Sequence, residues 1–226
     1  MEIFLDSADI KEIERWLEMG VLDGVTTNPT IMVRDGIYDF EKGAKEIAEL
    51  IKPRPLSVEV VEEEPGRMID EAHRLSEIAE NMVIKIPQLT TSGRPLYDVM
   101  RKLEEDGIRV NATLALSPGH VVMSAKAGAT YISVFMGRIA DEGGDPGSIL
   151  DISLRWLDMW DYDSKIIAAS IRGVSDFITA MEAGAPVITA PPDVLRRLVE
   201  HKNAIAGVRK FLEDARKAME SLKKES

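Results

Sequence analysis

The stretch Asn81-Met82-Val83-Ile84-Lys85-Ile86-Pro87 decides how this chain can fold and which chemistry it can carry. An apolar run of this length, ended by a proline, is typical of a parallel-sheet strand that is covered on both faces. A charged lysine inside such a strand is costly unless its ammonium is paired or loses its proton. Because an uncharged amine attacks carbonyl carbons, Lys85 is a candidate nucleophile. The alternative is a lysine that extends from the end of the strand into water.

The lysine stretch is the fourth of eight predicted strands, and each of the eight is followed by a predicted helix. The strands are expected at residues 3–6, 22–26, 56–61, 81–87, 108–114, 130–135, 165–170 and 187–190. Eight such units with short connections predict a (β/α)8 TIM barrel, formed as a single domain by residues 1–203. An open doubly wound sheet is the alternative. The count of eight argues against it, and no Gly-x-Gly-x-x-Gly motif follows any of the strands.

An additional C-terminal helix is predicted at residues 204–226, outside the barrel domain. Its apolar residues are spaced three and four apart and form a narrow seam of Ile205, Val208, Leu212, Ala215, Met219 and Leu222. A seam of this kind is expected to be buried, either on the barrel of its own chain or on a neighbouring subunit.

The composition narrows the classes of partner. The 226 residues are 45% hydrophobic, contain no cysteine and carry a formal net charge of −11. This charge argues against a nucleic-acid partner, although a small phosphorylated substrate needs only one or two local cations. No signal peptide and no run of about 20 apolar residues is visible, so we expect a cytoplasmic protein with no membrane partner. His73, His120 and His201 match no metal-ligand spacing, and no metal site is expected.

Polar side chains occur at or near the carboxyl end of every predicted strand. They are Asp6, Thr26, Thr27, Asn28, Glu59, Lys85, Asn111, Thr113, Ser133, Arg138, Ser170, Arg172 and Thr189. Each has an ordinary interpretation of its own: Asp6 as a helix cap, Thr113 as a strand former, Arg138 as a surface charge. In a barrel, however, these ends converge on one mouth. A lysine, two carboxylates and two arginines there predict carbonyl chemistry on an anionic substrate.

Several motifs make the chain resemble the short members of the transaldolase family over essentially its whole length. The matching segments include Phe4-Leu5-Asp6, Thr26-Thr27-Asn28-Pro29-Thr30, Val58-Glu59-Val60, Val83-Ile84-Lys85-Ile86-Pro87, Val110-Asn111-Ala112-Thr113-Leu114, Gly137-Arg138-Ile139 and Ala169-Ser170-Ile171-Arg172. The resemblance implies a (β/α)8 barrel that needs no cofactor. It also implies a homo-oligomer, either a pentamer or a decamer, because short family members form rings.

The resemblance also implies roles for individual residues. Lys85 would form the Schiff base and Asp6 would be the general acid/base, while Glu59 and Thr113 would position the water of imine formation and hydrolysis. The dihydroxyacetone part of the substrate would be held by Asn28, Asn111 and Ser133, and its phosphate by Arg138, Ser170 and Arg172. Thr26 and Phe135 complete the predicted substrate-binding set.

The resemblance therefore implies a transaldolase of the pentose phosphate pathway, which moves a dihydroxyacetone unit from fructose 6-phosphate or sedoheptulose 7-phosphate to an aldose phosphate. Glu59 and Phe135 favour transfer, because fructose 6-phosphate aldolases of the family carry glutamine and tyrosine at these positions. The alternatives are an aldolase that releases free dihydroxyacetone and a barrel that binds a sugar phosphate without catalysis. The chain departs from the family pattern in the longer loop at residues 88–95 and in His120 near the mouth.

Overall fold

The computed structural model describes residues 1–225, in which eight parallel strands close into a barrel in chain order. The strands β1 to β8 span Glu2–Asp6, Gly24–Thr26, Leu56–Glu59, Met82–Pro87, Val110–Ala115, Tyr131–Phe135, Lys165–Ala169 and Val187–Ala190. The last strand pairs with the first in parallel, which closes the sheet. The predicted (β/α)8 barrel with a C-terminal helix is confirmed.

Helices alternate with the strands around the barrel. Within residues 1–225, the helices α1 to α11 span Ile10–Glu18, Pro29–Arg34, Phe40–Ile51, Pro65–Ser76, Tyr97–Glu105, Pro118–Lys126, Met136–Asp141, Pro146–Met159, Val174–Glu182, Pro192–Val199 and Lys202–Glu225. The short helices α2 and α7 were not predicted from the sequence. The start of α2 carried a usable signal, a capping asparagine followed by proline, whereas α7 begins without a side-chain cap. No helix of the described chain has the length and apolar character that crossing a membrane requires.

Every predicted strand except β8 differs from the observed one by one or two residues at one end or at both. The third strand ends at Glu59 instead of residue 61, because the backbone N–H groups of Val61 and Glu62 both donate to Oε2 of Glu71, each at 2.9 Å. A side chain on the following helix thus replaces the next partners of the sheet. Such a contact joins residues about ten positions apart and leaves no mark on the local strand pattern.

The pleat of each strand separates two packing regions. Outward-facing residues such as Leu5 and Ile84 belong to the large core between the sheet and the helices. Their sequence neighbours face the barrel axis, where Phe4, Val83 and Ile167 form a smaller apolar cluster. Two residues further along β1, β4, β6 and β8, the inward side chains are polar: Asp6, Lys85, Ser133 and Thr189. The barrel interior therefore has an apolar floor, and a polar layer lies above it toward the carboxyl ends of the strands.

Helix α11 begins at Lys202, two residues before the predicted start. Ser226, the last residue of the prediction, lies outside the described residues. The seam is largely exposed, since Ile205, Val208, Leu212 and Met219 show 50%, 55%, 56% and 62% of their surface. Apolar side chains on a single face of a long helix are favourably removed from water by packing against another surface.

Candidate active site

A cavity of about 200 Å³ opens at the carboxyl ends of the strands. It is lined by Asp6, Thr26, Asn28, Lys85, Ser133, Phe135, Arg138, Ala169, Ser170 and Thr189. Eight of these ten residues belong to the site predicted from the sequence. The convergence of strand ends therefore brings most of the predicted side chains around a single volume.

Lys85 lies in the interior of the barrel, with 5% of its surface exposed. Its Nζ donates a hydrogen bond to the backbone oxygen of Thr27 at 2.7 Å. In the sheet, Lys85 pairs with Glu59 on one side and with Asn111 on the other. The amine is thus held inside the cavity and does not extend into water, which removes the alternative interpretation of this lysine.

Asp6 supplies a buried carboxyl group to the same cavity. The hydroxyl of Thr26 donates to its Oδ1 at 2.7 Å. Burial raises the pKa of Asp6 above its ordinary value; the nearby charge of Lys85 and the Thr26 hydrogen bond oppose the shift without cancelling it. A carboxyl with a raised pKa is suited to accept and return a proton.

Glu59 places a second carboxyl group beside the cavity, in a neighbouring depression that shares Asn28 with it. Burial raises the pKa of Glu59, the charge of Asp6 raises it further, and Lys85 lowers it. The two acids and the amine therefore influence one another. Thr113 is buried nearby on β5, and its hydroxyl has no hydrogen-bond partner among the described residues.

Asn111 is fully buried and lies behind the cavity wall. Its Oδ1 accepts a hydrogen bond from Ser133 at 2.7 Å, and its amide nitrogen donates to the Ser57 hydroxyl at 3.2 Å. Ser57 was missed in the sequence, although it precedes Glu59 by two positions and so faces the same side of β3. Asn111 orients Ser133, and Ser133 is the residue that reaches the cavity.

Asn28 both caps a helix and lines the cavity. Its Oδ1 accepts the backbone N–H of Ile31 at 2.8 Å at the start of α2. With its oxygen occupied by the cap, its amide NH₂ group is the part that can donate to a bound molecule.

The two arginines occupy different positions. Arg138 lines the cavity with Ser170, whereas Arg172 is not among the lining residues of the described chain. The Arg172 guanidinium forms a bidentate ion pair with Asp141, in which Nη2 lies 2.6 Å from Oδ2. The hydrogen bond from Arg172 holds the pKa of Asp141 below its usual range, and the charge of Arg138 adds to the effect.

Gly137 allows these groups to approach one another. A Cβ atom at this position would lie 2.6 Å from Nε of Arg172 and 2.6 Å from the backbone oxygen of Ser170. Ser170 itself has a φ of 57°, a left-handed conformation that is rare for serine and common at functional sites. Ser170, Arg138 and Arg172 therefore surround a glycine whose missing side chain leaves the space between them.

The long loop at residues 88–95 is a small hairpin, with a bridge between Leu89 and Pro95. Its base is fixed by the buried Gln88, whose amide nitrogen donates to the Thr113 backbone oxygen at 3.3 Å. Its tip contacts Glu63, which accepts hydrogen bonds from the backbone and the hydroxyl of Thr91.

His120 near the barrel mouth has a local structural contact. Its Nδ1 accepts the backbone N–H of Leu116 at 3.2 Å, and burial lowers the pKa of the imidazole.

A closed parallel barrel that gathers an amine, carboxyl groups and an arginine at the carboxyl ends of its strands has the architecture of a barrel enzyme. A family model described as Transaldolase/Fructose-6-phosphate aldolase matches residues 3–226. The chain belongs to this family and is an enzyme of this class.

Proteins named probable transaldolase are similar to this chain along almost their whole length. The protein from Clostridium acetobutylicum is 37% identical, covering 96% of this chain and 99% of its own. The one from Petrotoga mobilis is 38% identical, with coverage of 99% and 98%. The one from Geobacter sulfurreducens is 39% identical, with coverage of 95% and 97%.

Solved structures share the barrel at much lower identity. One described as a native KDPGal structure superposes with a TM-score of 0.59 at 14% identity, covering 84% of this chain and 82% of that one. An inosine 5′-monophosphate dehydrogenase from Legionella pneumophila gives 0.58 at 13% identity, with coverage of 86% and 58%. These likenesses concern the fold alone.

The raised pKa of Asp6 predicts a stability cost at neutral pH. The folded protein binds the proton of Asp6 more tightly than the unfolded chain does. The stabilisation that results is fully present below the ordinary pKa of 3.8 and is lost as the pH rises through the higher pKa of the folded state. Asp6→Asn should therefore raise the unfolding temperature at pH 7 by roughly a few degrees, and the gain should shrink toward pH 4. Calorimetry at both pH values measures this. Asp39→Asn, at an exposed helix cap, is the control, and an equal gain in both variants would contradict the prediction.

Proposed function

We propose that the protein is a Schiff-base-forming transaldolase that moves a dihydroxyacetone unit from a ketose phosphate, fructose 6-phosphate or sedoheptulose 7-phosphate, to an aldose phosphate. The observation that carries the proposal is the buried amine of Lys85 in one small cavity with the Asp6 carboxyl and the Arg138 guanidinium. Because the chain belongs to the transaldolase family and resembles probable transaldolases along almost their whole length, we place the reaction in the pentose phosphate pathway. The composition supports a cytoplasmic location.

The reaction begins when uncharged Lys85 attacks the ketone carbon of the donor and water is lost. The resulting protonated imine withdraws electrons from the adjacent carbon–carbon bond. Asp6 takes the proton of the hydroxyl next to this bond, the bond breaks, and an aldehyde leaves while an enamine stays on the enzyme. The enamine then attacks the carbonyl carbon of the acceptor, whose oxygen receives the proton from Asp6. Hydrolysis of the imine releases the product and restores the amine.

Glu59 and Thr113 are proposed to hold the water that forms in the first dehydration and is consumed in the last hydrolysis. The raised pKa of Glu59 suits proton exchange with this water, and the buried Thr113 hydroxyl is free of protein partners among the described residues. Asn28 and Ser133 are proposed to bind the dihydroxyacetone part. Asn111 is proposed to contribute indirectly, because its Oδ1 accepts the hydrogen bond that orients Ser133.

Lys85 is expected to be the residue that forms the covalent intermediate. Borohydride added with fructose 6-phosphate should reduce the imine and leave a stable adduct on the peptide that contains Lys85, which mass spectrometry detects. Lys85→Met should abolish both the adduct and turnover. Lys165→Met, which removes an exposed lysine at the start of β7, is the matched control and should retain both. An adduct on another peptide together with an active Lys85→Met variant would refute the mechanism.

Arg138, Ser170 and Arg172 are proposed to bind the substrate phosphate. Arginine presents fixed donors that match phosphate oxygens, and Gly137 keeps the space between these residues open. Because Asp141 already pairs with Arg172, the phosphate would share this guanidinium with the carboxylate, while Arg138 faces the cavity directly.

Arg138→Ala and Arg172→Ala should each raise the KM for fructose 6-phosphate, by roughly ten- to a hundredfold, since a charge-assisted hydrogen bond is lost. The KM for unphosphorylated fructose should change little. Steady-state kinetics with both sugars measures the difference. Arg155→Ala removes an exposed, paired arginine on α8 and should leave both values unchanged. Equal losses with the two sugars would show that Arg138 and Arg172 serve the structure instead.

Transfer is proposed to dominate over release of free dihydroxyacetone. Hydrolysis of the enamine first requires protonation of its carbon, and a tyrosine hydroxyl can deliver that proton through water. Phe135 lines the cavity and has no hydroxyl. The enamine should therefore persist until an aldehyde acceptor arrives.

Turnover of fructose 6-phosphate alone is expected to be slow and to rise at least about tenfold when erythrose 4-phosphate is added. Phe135→Tyr should increase the rate of dihydroxyacetone release without acceptor, and Phe135→Leu, which removes the ring and adds no hydroxyl, should not. Coupled assays of dihydroxyacetone and of the transfer product give both rates. Rapid release by the wild-type protein without acceptor would favour the aldolase.

We further propose that residues 1–203 form the barrel domain and that the C-terminal helix holds subunits of a homo-oligomer together, as a pentamer or a decamer. The support is the exposed seam of α11, in which Ile205, Val208 and Leu212 each show half or more of their surface. A second copy of the chain supplies a surface on which the seam is removed from water.

A chain ending at Asn203 should therefore form particles with fewer subunits than the full-length protein. Light scattering gives this number as the particle mass divided by the mass of one chain. A full-length variant with Val208→Ser and Leu212→Ser tests the seam without removing the helix and should also dissociate. Arg209→Ser on the same helix is the control. Retention of the full oligomer by the shortened chain would place the subunit contacts elsewhere.

A further inference from the structure

Two threonine hydroxyls, one from each neighbouring strand, form a hydrogen-bonded row that ends at the carboxyl group of Asp6. β1 pairs with β2, which places Thr26 beside Asp6, and with β8, which carries Thr189. The Thr26 hydroxyl lies 2.7 Å from Oδ1 of Asp6 and 2.6 Å from the Thr189 hydroxyl. Both threonines line the cavity, and both are almost fully buried, with 1% and 3% of their surface exposed.

The direction of these two hydrogen bonds follows from the number of protons. An ionised carboxylate only accepts, so the Thr26 hydroxyl donates its single proton to Asp6. The short contact between the two hydroxyls then requires Thr189 to donate to Thr26. While Asp6 is ionised, the order of donation is therefore Thr189 to Thr26 to Asp6. A hydroxyl that accepts a hydrogen bond is itself a stronger donor, most of all where the local dielectric is low.

We propose that Thr189 is a positioning residue for the general base, because its hydroxyl donates to Thr26 and thereby fixes Thr26 as a donor to Asp6. The inference rests on the proposed function, in which ionised Asp6 takes the proton of the substrate. Thr189 acts only through Thr26, so its contribution should vanish when the Thr26 hydroxyl is absent.

The charges that face Asp6 come from three other elements. They are Lys85 on β4, Glu59 on β3, and the pair Arg34 and Asp35 at the end of α2. Thr189→Val leaves all four in place and keeps the shape of the side chain. A change in the titration of Asp6 in this variant therefore reports on the hydrogen bonds. Burial raises the pKa of Asp6 and the Thr26 hydrogen bond lowers it, so weakening that bond should raise it further.

The acidic limb of the pH profile of kcat/KM should accordingly move to higher pH in Thr189→Val, with a loss of roughly a few-fold on that limb. Thr26→Val should move the acidic limb further and lower kcat/KM on that limb by roughly ten- to a hundredfold. Thr189→Ser keeps the hydroxyl and should restore the wild-type position of the limb. In the Thr26→Val background, adding Thr189→Val should shift the limb no further.

A titration of Asp6 by carbon-13 NMR in the substrate-free protein gives a second readout that does not depend on turnover. The same order is expected, with the lowest pKa in the wild type and in Thr189→Ser. An unchanged titration in Thr189→Val, or a shift that persists in full in the Thr26→Val background, would overturn the inference. If the wild type formed no borohydride adduct, the proposed function would fail, while the NMR comparison would still decide whether Thr189 acts on Asp6.

Discussion

The pleat of a closed parallel barrel is the constraint on which the rest of this structure depends. It turns every second residue of a strand toward the axis, so the inward positions of neighbouring strands form layers. Phe4, Val83 and Ile167 form an apolar layer, and Asp6 and Lys85 stand two residues further along their strands. The reactive groups therefore rest on a packed floor and meet solvent only from the mouth above.

Burial on this floor gives the polar layer its chemical character. It raises the pKa of Asp6 and of Glu59, and it holds the Lys85 amine against the Thr27 carbonyl instead of water. Each charge is tolerated because the others and the surrounding hydroxyls lie close by. The site is consequently costly for folding, and the large outer core between sheet and helices offsets that cost.

The side of the mouth that carries Arg138 and Arg172 is organised differently. Arg138 and Arg172 are exposed, and their geometry is set by contacts instead of burial: a glycine that admits close approach, a strained Ser170 and the carboxylate of Asp141. An exposed cation keeps its charge without difficulty, so this side needs no apolar floor. The same mouth thus combines a buried region suited to proton transfer with a solvated region suited to an anion.

The sequence by itself determined the eight strand–helix units, the family and most of the cavity lining, because strand periodicity and short motifs such as the one around Lys85 are local. Only the tertiary structure decided that Asn111 stands behind Ser133, that Arg172 pairs with Asp141, and that Thr189 reaches Thr26 from a position 163 residues away in the chain. It also decided that the seam of α11 is exposed. These features depend on contacts between residues that are distant in sequence. No local pattern encodes such contacts, because they exist only once the barrel has closed and its last strand lies beside the first.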